Sequence, residues 1–325
     1  MITKGLDTAC EDKIIQSLTK SDPRFSIPDP SSIHNLDLET VKNAVLGQLG
    51  PEAVEVSISG DLPLKYIENA ALQYLGTVPT RPEKDRRKLT PASVSYTPLG
   101  RSNQQVVYFQ DSEERALGYL AGSCPNSWGI FSDGTTLSEK IIARAGSGKE
   151  DKRRNHPLFG HVLLLVLQEI ANRRLFSVVR EERQLTYDAS FQLKGIDSIH
   201  GGWYLVSVTS SPTQVQEALD ACVDSLDSLK GGFGVMGDTL QSAKRTLVNR
   251  FRGEALTNKF WVEKLCGTQV DSVSKSLSCI TEFENVLSGI NVQVYLLSDL
   301  NIFVLFFTLK NPNIKLIINN LYFSI

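Results

Sequence analysis

The stretch Arg180-Glu-Glu-Arg-Gln-Leu-Thr-Tyr187 joins a long apolar segment to an alternating one, and what lies on either side of it decides the fold. Upstream, residues 157–176 are apolar on nearly every side through their first turns, the pattern of a helix buried on a sheet. Arg173, Arg174 and Arg180 come late, where the negative end of a helix dipole favours cations. Downstream, residues 185–193 alternate with period two. Leu185, Tyr187, Ala189, Phe191 and Leu193 share one face, and Thr186, Asp188, Ser190 and Gln192 share the other.

The rest of the chain supplies the partners that such a helix and strand need. Residues 10–22 and 36–49 read as helices, and 53–59 as a strand with Val54, Val56 and Ile58 turned inward. Residues 62–75 form an amphipathic helix begun at Asp61, a good N-cap residue. Residues 79–88 are a charged, proline-containing loop. Strands follow at 106–109 and 116–121, and then a long polar insertion over 132–155. Beyond the central helix and its strands, 212–229 and 240–265 are helical. Between them Gly231-Gly-Phe-Gly234 lacks the Lys-Ser/Thr continuation of a phosphate loop.

Composition narrows the function. A net charge of −2 over 325 residues offers no field that would by itself recruit nucleic acid or an anionic membrane. Five cysteines, at 10, 124, 222, 266 and 279, show no zinc-ribbon or disulfide spacing and fit a reducing compartment, with Cys222 reading as core. The first twelve residues carry acids early, without a signal or transit composition. From Val294 to Ile325 there is no Gly, Ala, Glu, Arg, Gln or Cys, and the residues present favour AT-rich codons. That break reads as retained-intron sequence standing apart from the folded domain. Its apolar run between Asp299 and Lys310 is shorter than the roughly 18–20 residues of a membrane span.

The central helix, the Arg and Tyr seven residues apart, and the strand after them resemble the C-terminal domains of the pitrilysin (M16) metallopeptidase family. Thr40-Val-Lys-Asn-Ala-Val45, Val54-Glu-Val-Ser-Ile-Ser-Gly-Asp61 and Tyr74-Leu-Gly-Thr77 resemble further elements of that family in the same order, as do 202–210 and 243–247. Gln184 stands where the family pattern has glycine. Arg24-Phe, Trp128-Gly and His156-Pro-Leu-Phe159 suit its plant chloroplast members. The resemblance implies an α+β, LuxS/MPP-like metallohydrolase fold, a mixed and mostly antiparallel sheet with helices packed on one face. It divides the chain into the end of a preceding repeat (1–50), an inactive C-terminal domain (51–293) and a non-homologous tail (294–325).

Active members of that family hold zinc with His-x-x-Glu-His on a helix and a distal Glu. Here His34, His156, His161 and His200 include no pair four apart, and the comparable helix offers Leu163, Leu164, Leu165 and Val166. No complete catalytic set and no metal site is therefore expected in this chain. The resemblance implies zinc only in a missing catalytic half, which becomes the expected partner in the same or a separate chain, with an extended peptide as substrate and the chloroplast stroma as location. It also implies that Arg180 and Tyr187 bind substrate near the scissile carbonyl, where guanidinium and phenol could donate hydrogen bonds. The residues alone leave another reading open, a core tyrosine and a helix-end cation. The expected function is the non-catalytic wall of a peptidase chamber, inactive alone. The alternatives are a structural or binding module, or a truncated product without a role.

Overall fold

The computed structural model describes residues 6–25, 28, 30–48, 55–77, 92–96, 103–109, 115–145, 155–229, 237–268, 275–291 and 314–320. The loops expected at 79–88 and 231–234 lie outside these residues. The main sheet contains β2 (Asn103–Phe109), β3 (Ala116–Cys124), β4 (Asp188–Gly195), β6 (Gly202–Ser210) and β7 (Ile314–Asn320), in the order β2-β7-β3-β6-β4. Only β2 and β7 run parallel; β7 with β3, β3 with β6, and β6 with β4 are antiparallel. A separate two-residue parallel pairing joins β1 (Ala92–Ser93) to β5 (Ile199–His200). The α+β class with a mixed, mostly antiparallel sheet is thus what the chain forms.

The sheet's two faces differ as period-two alternation requires. On one, Ala116, Leu120, Phe191, Tyr204, Val206 and Val208 join the main core with α6 (Phe159–Leu175) and α7 (Val215–Ser228). Gly118 is what lets α7 approach: a Cβ there would meet the Leu219 side chain at 2.7 Å. Leu163, Leu167 and Ile170 of α6 are fully buried, so truncating any one to alanine costs about 2–5 kcal/mol. On the other face α1 (Leu6–Leu18) sets Cys10 and Ile14 against Leu117, Tyr119, Ala121 and Leu205. Helices therefore cover mainly, but not only, one face.

Several local expectations are corrected. Of the polar insertion expected over 132–155, the described part holds a helix: Thr136 and Glu139 form a reciprocal capping box, Thr136 N–H to Glu139 Oε2 at 2.7 Å and Glu139 N–H to Thr136 Oγ1 at 3.2 Å, that starts α5 (Leu137–Ala145). The helix expected at 240–265 breaks into α8 (Gly237–Glu254) and α9 (Asn258–Leu265), since the Thr257 hydroxyl accepts from the Phe260 N–H and caps a new start. Pro63, not Asp61, precedes α4 (Leu64–Tyr74). Residues 55–59 form no strand, and Val56 and Ile58 are each 48% exposed.

The tail also departs from expectation. Residues 314–320 are hydrogen-bonded into the sheet between β2 and β3 rather than standing apart from it. The physical reason is that Ile-Lys-Leu-Ile-Ile-Asn-Asn is a β-prone segment, and a slot with open backbone groups on both sides will take one.

Candidate functional site

The entry of the central helix is fixed before the site is reached. The Leu158 N–H donates to His156 Nδ1 at 3.1 Å, and His156 Nε2 lies 2.8 Å from Glu282 Oε2, tying the start of α6 to the segment before α11 (Phe283–Gly289). His161, one turn in, is buried, stacks on Trp128 at 4.6 Å and donates from Nδ1 to the Ser127 carbonyl at 2.7 Å. Burial, offset in part by that carbonyl, pushes its pKa down to about 4, so the imidazole stays neutral. Gly160 permits this packing, since a Cβ there would meet the Trp128 carbonyl oxygen at 3.1 Å.

Both histidines at the head of α6 are thereby committed to structural partners. Leu163, Leu164 and Val166 are buried against the core. This donor set does not fit a zinc ion, and among the described residues no three of His, Cys, Asp and Glu gather as a metal would require. None of the described helices is long and apolar enough to cross a membrane.

At its C-terminal end α6 is fastened to α8 by Arg173, which bonds Glu169 (3.0 Å), Ser242 Oγ (2.8 Å) and Thr246 Oγ1 (2.6 Å). Glu169, only 13% exposed, also takes Arg250 at 3.2 Å. Arg174 reaches Ser228 on α7 at 3.3 Å. Two of the three late arginines thus bind neighbouring helices. Arg180 does not: it is exposed, with its guanidinium 5.0 Å from the centroid of the Phe176 ring, itself 45% exposed.

Arg180 lies in a π-helical extension of α6, Phe176–Glu182. Along it the adjacent Val178 and Val179 are buried, and Phe176 and Arg180, four residues apart, share an exposed face. The extension is closed by the Arg183 N–H to the Val178 carbonyl (3.0 Å) and the Leu185 N–H to the Val179 carbonyl (3.1 Å). Between them Gln184 adopts φ 53°, the left-handed region that favours glycine. The Gln184-for-Gly difference noted in the sequence thus falls on the one turn residue where it costs energy.

After this turn the expected alternation does not begin at Leu185. Leu185 and Thr186 are both buried; Ser210 Oγ donates to the Leu185 carbonyl, and Thr186 Oγ1 sits 2.6 Å from the Asp188 carbonyl while accepting the Asp188 N–H at 3.0 Å. Tyr187 is left 84% exposed, held by its N–H to the Thr209 carbonyl at 3.3 Å. The core reading of Tyr187 fails for this reason, and regular alternation starts only with β4, whose Phe191 is fully buried. Among the described residues no hydrogen bond joins Arg180 to Tyr187; both are presented on the surface at opposite ends of one turn.

Beside this turn a cleft of about 890 Å³ runs along the edge of β4, lined by Gln168, Asn172, Phe176, Gln192, Lys194 and Arg250 among others. Sequence reasoning missed what closes that edge. Asn172 acts as a surrogate strand residue, its Oδ1 accepting the Phe191 N–H (2.8 Å) and its Nδ2 donating to the Phe191 carbonyl (2.9 Å). Gln168, one turn before it, accepts the Leu193 N–H at 3.0 Å. The i,i+4 spacing of two amides on a buried helix next to a strand was the available signal.

Comparison with known proteins agrees with this architecture. Residues 35–247 match the family profile described as the peptidase M16 inactive domain. The stromal processing peptidase of chloroplasts from Pisum sativum is 36% identical over 308 residues, covering 90% of this chain and 24% of that protein. Its counterpart from Arabidopsis thaliana is 36% identical over 314 residues, covering 91% and 25%. The chain thus spans about a quarter of the length of these relatives. Among solved structures, the peptidase M16 inactive domain from Pseudomonas fluorescens superposes with a TM-score of 0.61 at 17% identity, covering 96% of this chain and 64% of that one. The mixed sheet and its covering helices are thus a fold shared with that inactive domain, and with the profile match and the 36% identity to its relatives the chain belongs to the M16 peptidase family.

Proposed function

We propose that this chain is the non-catalytic C-terminal half of a zinc metalloendopeptidase like the stromal processing peptidases, with residues 51–293 as its final repeat and the chloroplast stroma as its place of work. It closes against a catalytic half that supplies zinc, and forms the chamber wall that receives extended peptides such as transit peptides. Alone it hydrolyses nothing.

The observation that carries this reading is the exposure of Tyr187 directly after a buried Leu-Thr pair, with Arg180 braced on Phe176 across the turn. A large aromatic left 84% exposed directly after two buried residues is held in place for a partner surface. A phenol and a guanidinium there would donate to the carbonyl of an extended peptide or to the oxyanion formed from it.

The test combines this chain with the catalytic half of a stromal processing peptidase. Tyr187→Phe should lower turnover by roughly tenfold to a thousandfold, the scale of losing one preorganised donor. Thermal stability should be unchanged, because an 84% exposed hydroxyl contributes little to folding. Full turnover in a folded Tyr187→Phe protein would refute the assignment. A combined protein that never cleaves, although the two halves bind, would favour a structural module instead.

A further inference from the structure

The slot between β2 and β3 is filled by a strand from the tail, and the sequence carries a second candidate for it. Residues 54–59 alternate Val54, Val56, Ile58 and are followed by α4 and then β2, the order of a strand-helix-strand unit. Such a unit places its two strands parallel in one sheet, with the helix packed on the face between them. The position beside β2 in this sheet, and parallel to it, is the slot held by β7, paired from Asn103 with Ile314 to Phe109 with Asn320. Its other side runs antiparallel to β3.

The present occupant matches that slot poorly. The register sets Lys315 opposite Leu120 and Asn319 opposite Ala116, and both partners are buried in the main core. At the register positions paired with these two the tail sequence has a lysine and an asparagine, whereas the alternating segment 54–59 carries valine and isoleucine at every second position. Meanwhile the displaced unit is bare. None of the residues of α4 is buried, with Leu64, Leu72 and Tyr74 about 70% exposed. Residues 55–59 rest instead beside α9, held by the Gly267 N–H to Glu55 at 2.8 Å and by Ser59 to Asn258 at 3.2 Å.

We propose that the space between β2 and β3 is a strand-acceptor site with two occupants in the same chain, residues 54–60 and residues 314–320, and that the tail strand holds the chain in a state with α4 undocked. When 54–60 enters, α4 follows and buries its apolar face on the sheet. The tail therefore acts as a displaceable plug whose chemistry is that of an extended, isoleucine-rich peptide.

Hydrogen exchange on the full chain tests this. Ile317→Pro removes a ladder donor from β7 and should expel it. The amides of 55–59 and of α4 should then gain protection by on the order of 100-fold, while β3 and β6 keep theirs. Adding Val56→Pro to that variant should abolish the gain. Continued rapid exchange at 55–59 in Ile317→Pro would overturn the proposal, whether β3 stays protected or melts. Gained protection that survives Val56→Pro, or that appears only on raising protein concentration, would overturn it as well.

Discussion

Replacing Gln184 with glycine should stabilise the chain by about 0.5–1 kcal/mol. Gln184 holds φ 53° between the last π-helical hydrogen bond and the buried Leu185. The left-handed conformation costs an L-residue roughly 1–2 kcal/mol, through contact of Cβ with the following carbonyl. Glycine removes that contact but loses more backbone freedom on folding, about 0.5–1 kcal/mol. The Gln184 side chain is exposed, so little packing is lost with it and the difference between the two terms survives. The measurement is urea unfolding with the slope held constant, which isolates a change in stability from one in surface exposed. Gln184→Val supplies the opposite sign, because a β-branched residue fits the left-handed region worst. Destabilisation by Gln184→Gly, or equal stability of the Gly and Val variants, would show that the turn does not hold this conformation.

Acid should weaken the fold through His161. The unfolded imidazole titrates near 6.5 and the folded one near 4, so in that window the unfolded chain binds the extra proton. Stability is intact above about pH 6.5 and falls as pH drops toward 4, by at most about 3 kcal/mol. His161→Phe keeps the stacking on Trp128 and should flatten this stretch of the stability profile measured by chemical unfolding, and an unaltered slope would refute the assignment. Asn172→Ala should cost about 2 kcal/mol by unpairing both backbone groups of Phe191, and should make the protein associate at high concentration by its opened β4 edge. A monomeric variant of unchanged stability would count against the surrogate-strand role.

Much of the architecture was legible because burial imposes period. The apolar run of α6, the alternation of Ala189, Phe191 and Leu193, and the all-buried α7 residues Ala218, Leu219 and Cys222 read correctly from spacing alone. What failed was punctuation that depends on one or two hydrogen bonds. The Thr136–Glu139 box and the Thr257 cap were written in the sequence but overlooked inside long polar stretches. Tyr187 was misplaced because period two was extended back through a turn, where Thr186 bonds the backbone instead of continuing the strand. The strand expected at 53–59 is absent over the described residues 55–59 for a different reason. Its pattern is sound, but sequence alternation cannot say which of two competent segments occupies a slot.

The π-helical extension links these levels, because it turns a buried helix into a presenting surface without breaking it. Val178 and Val179 are buried along it, and Phe176 and Arg180, four residues apart, lie together on its exposed side. The wider turn must then be closed by a residue at positive φ, which is Gln184, and the chain drops into the sheet with Leu185 and Thr186 inside. Tyr187 is the first residue free to face outward. Arg180 and Tyr187 are thus presented on the surface on either side of one closing turn. That paired presentation is the feature most directly tied to the proposed role in receiving peptide.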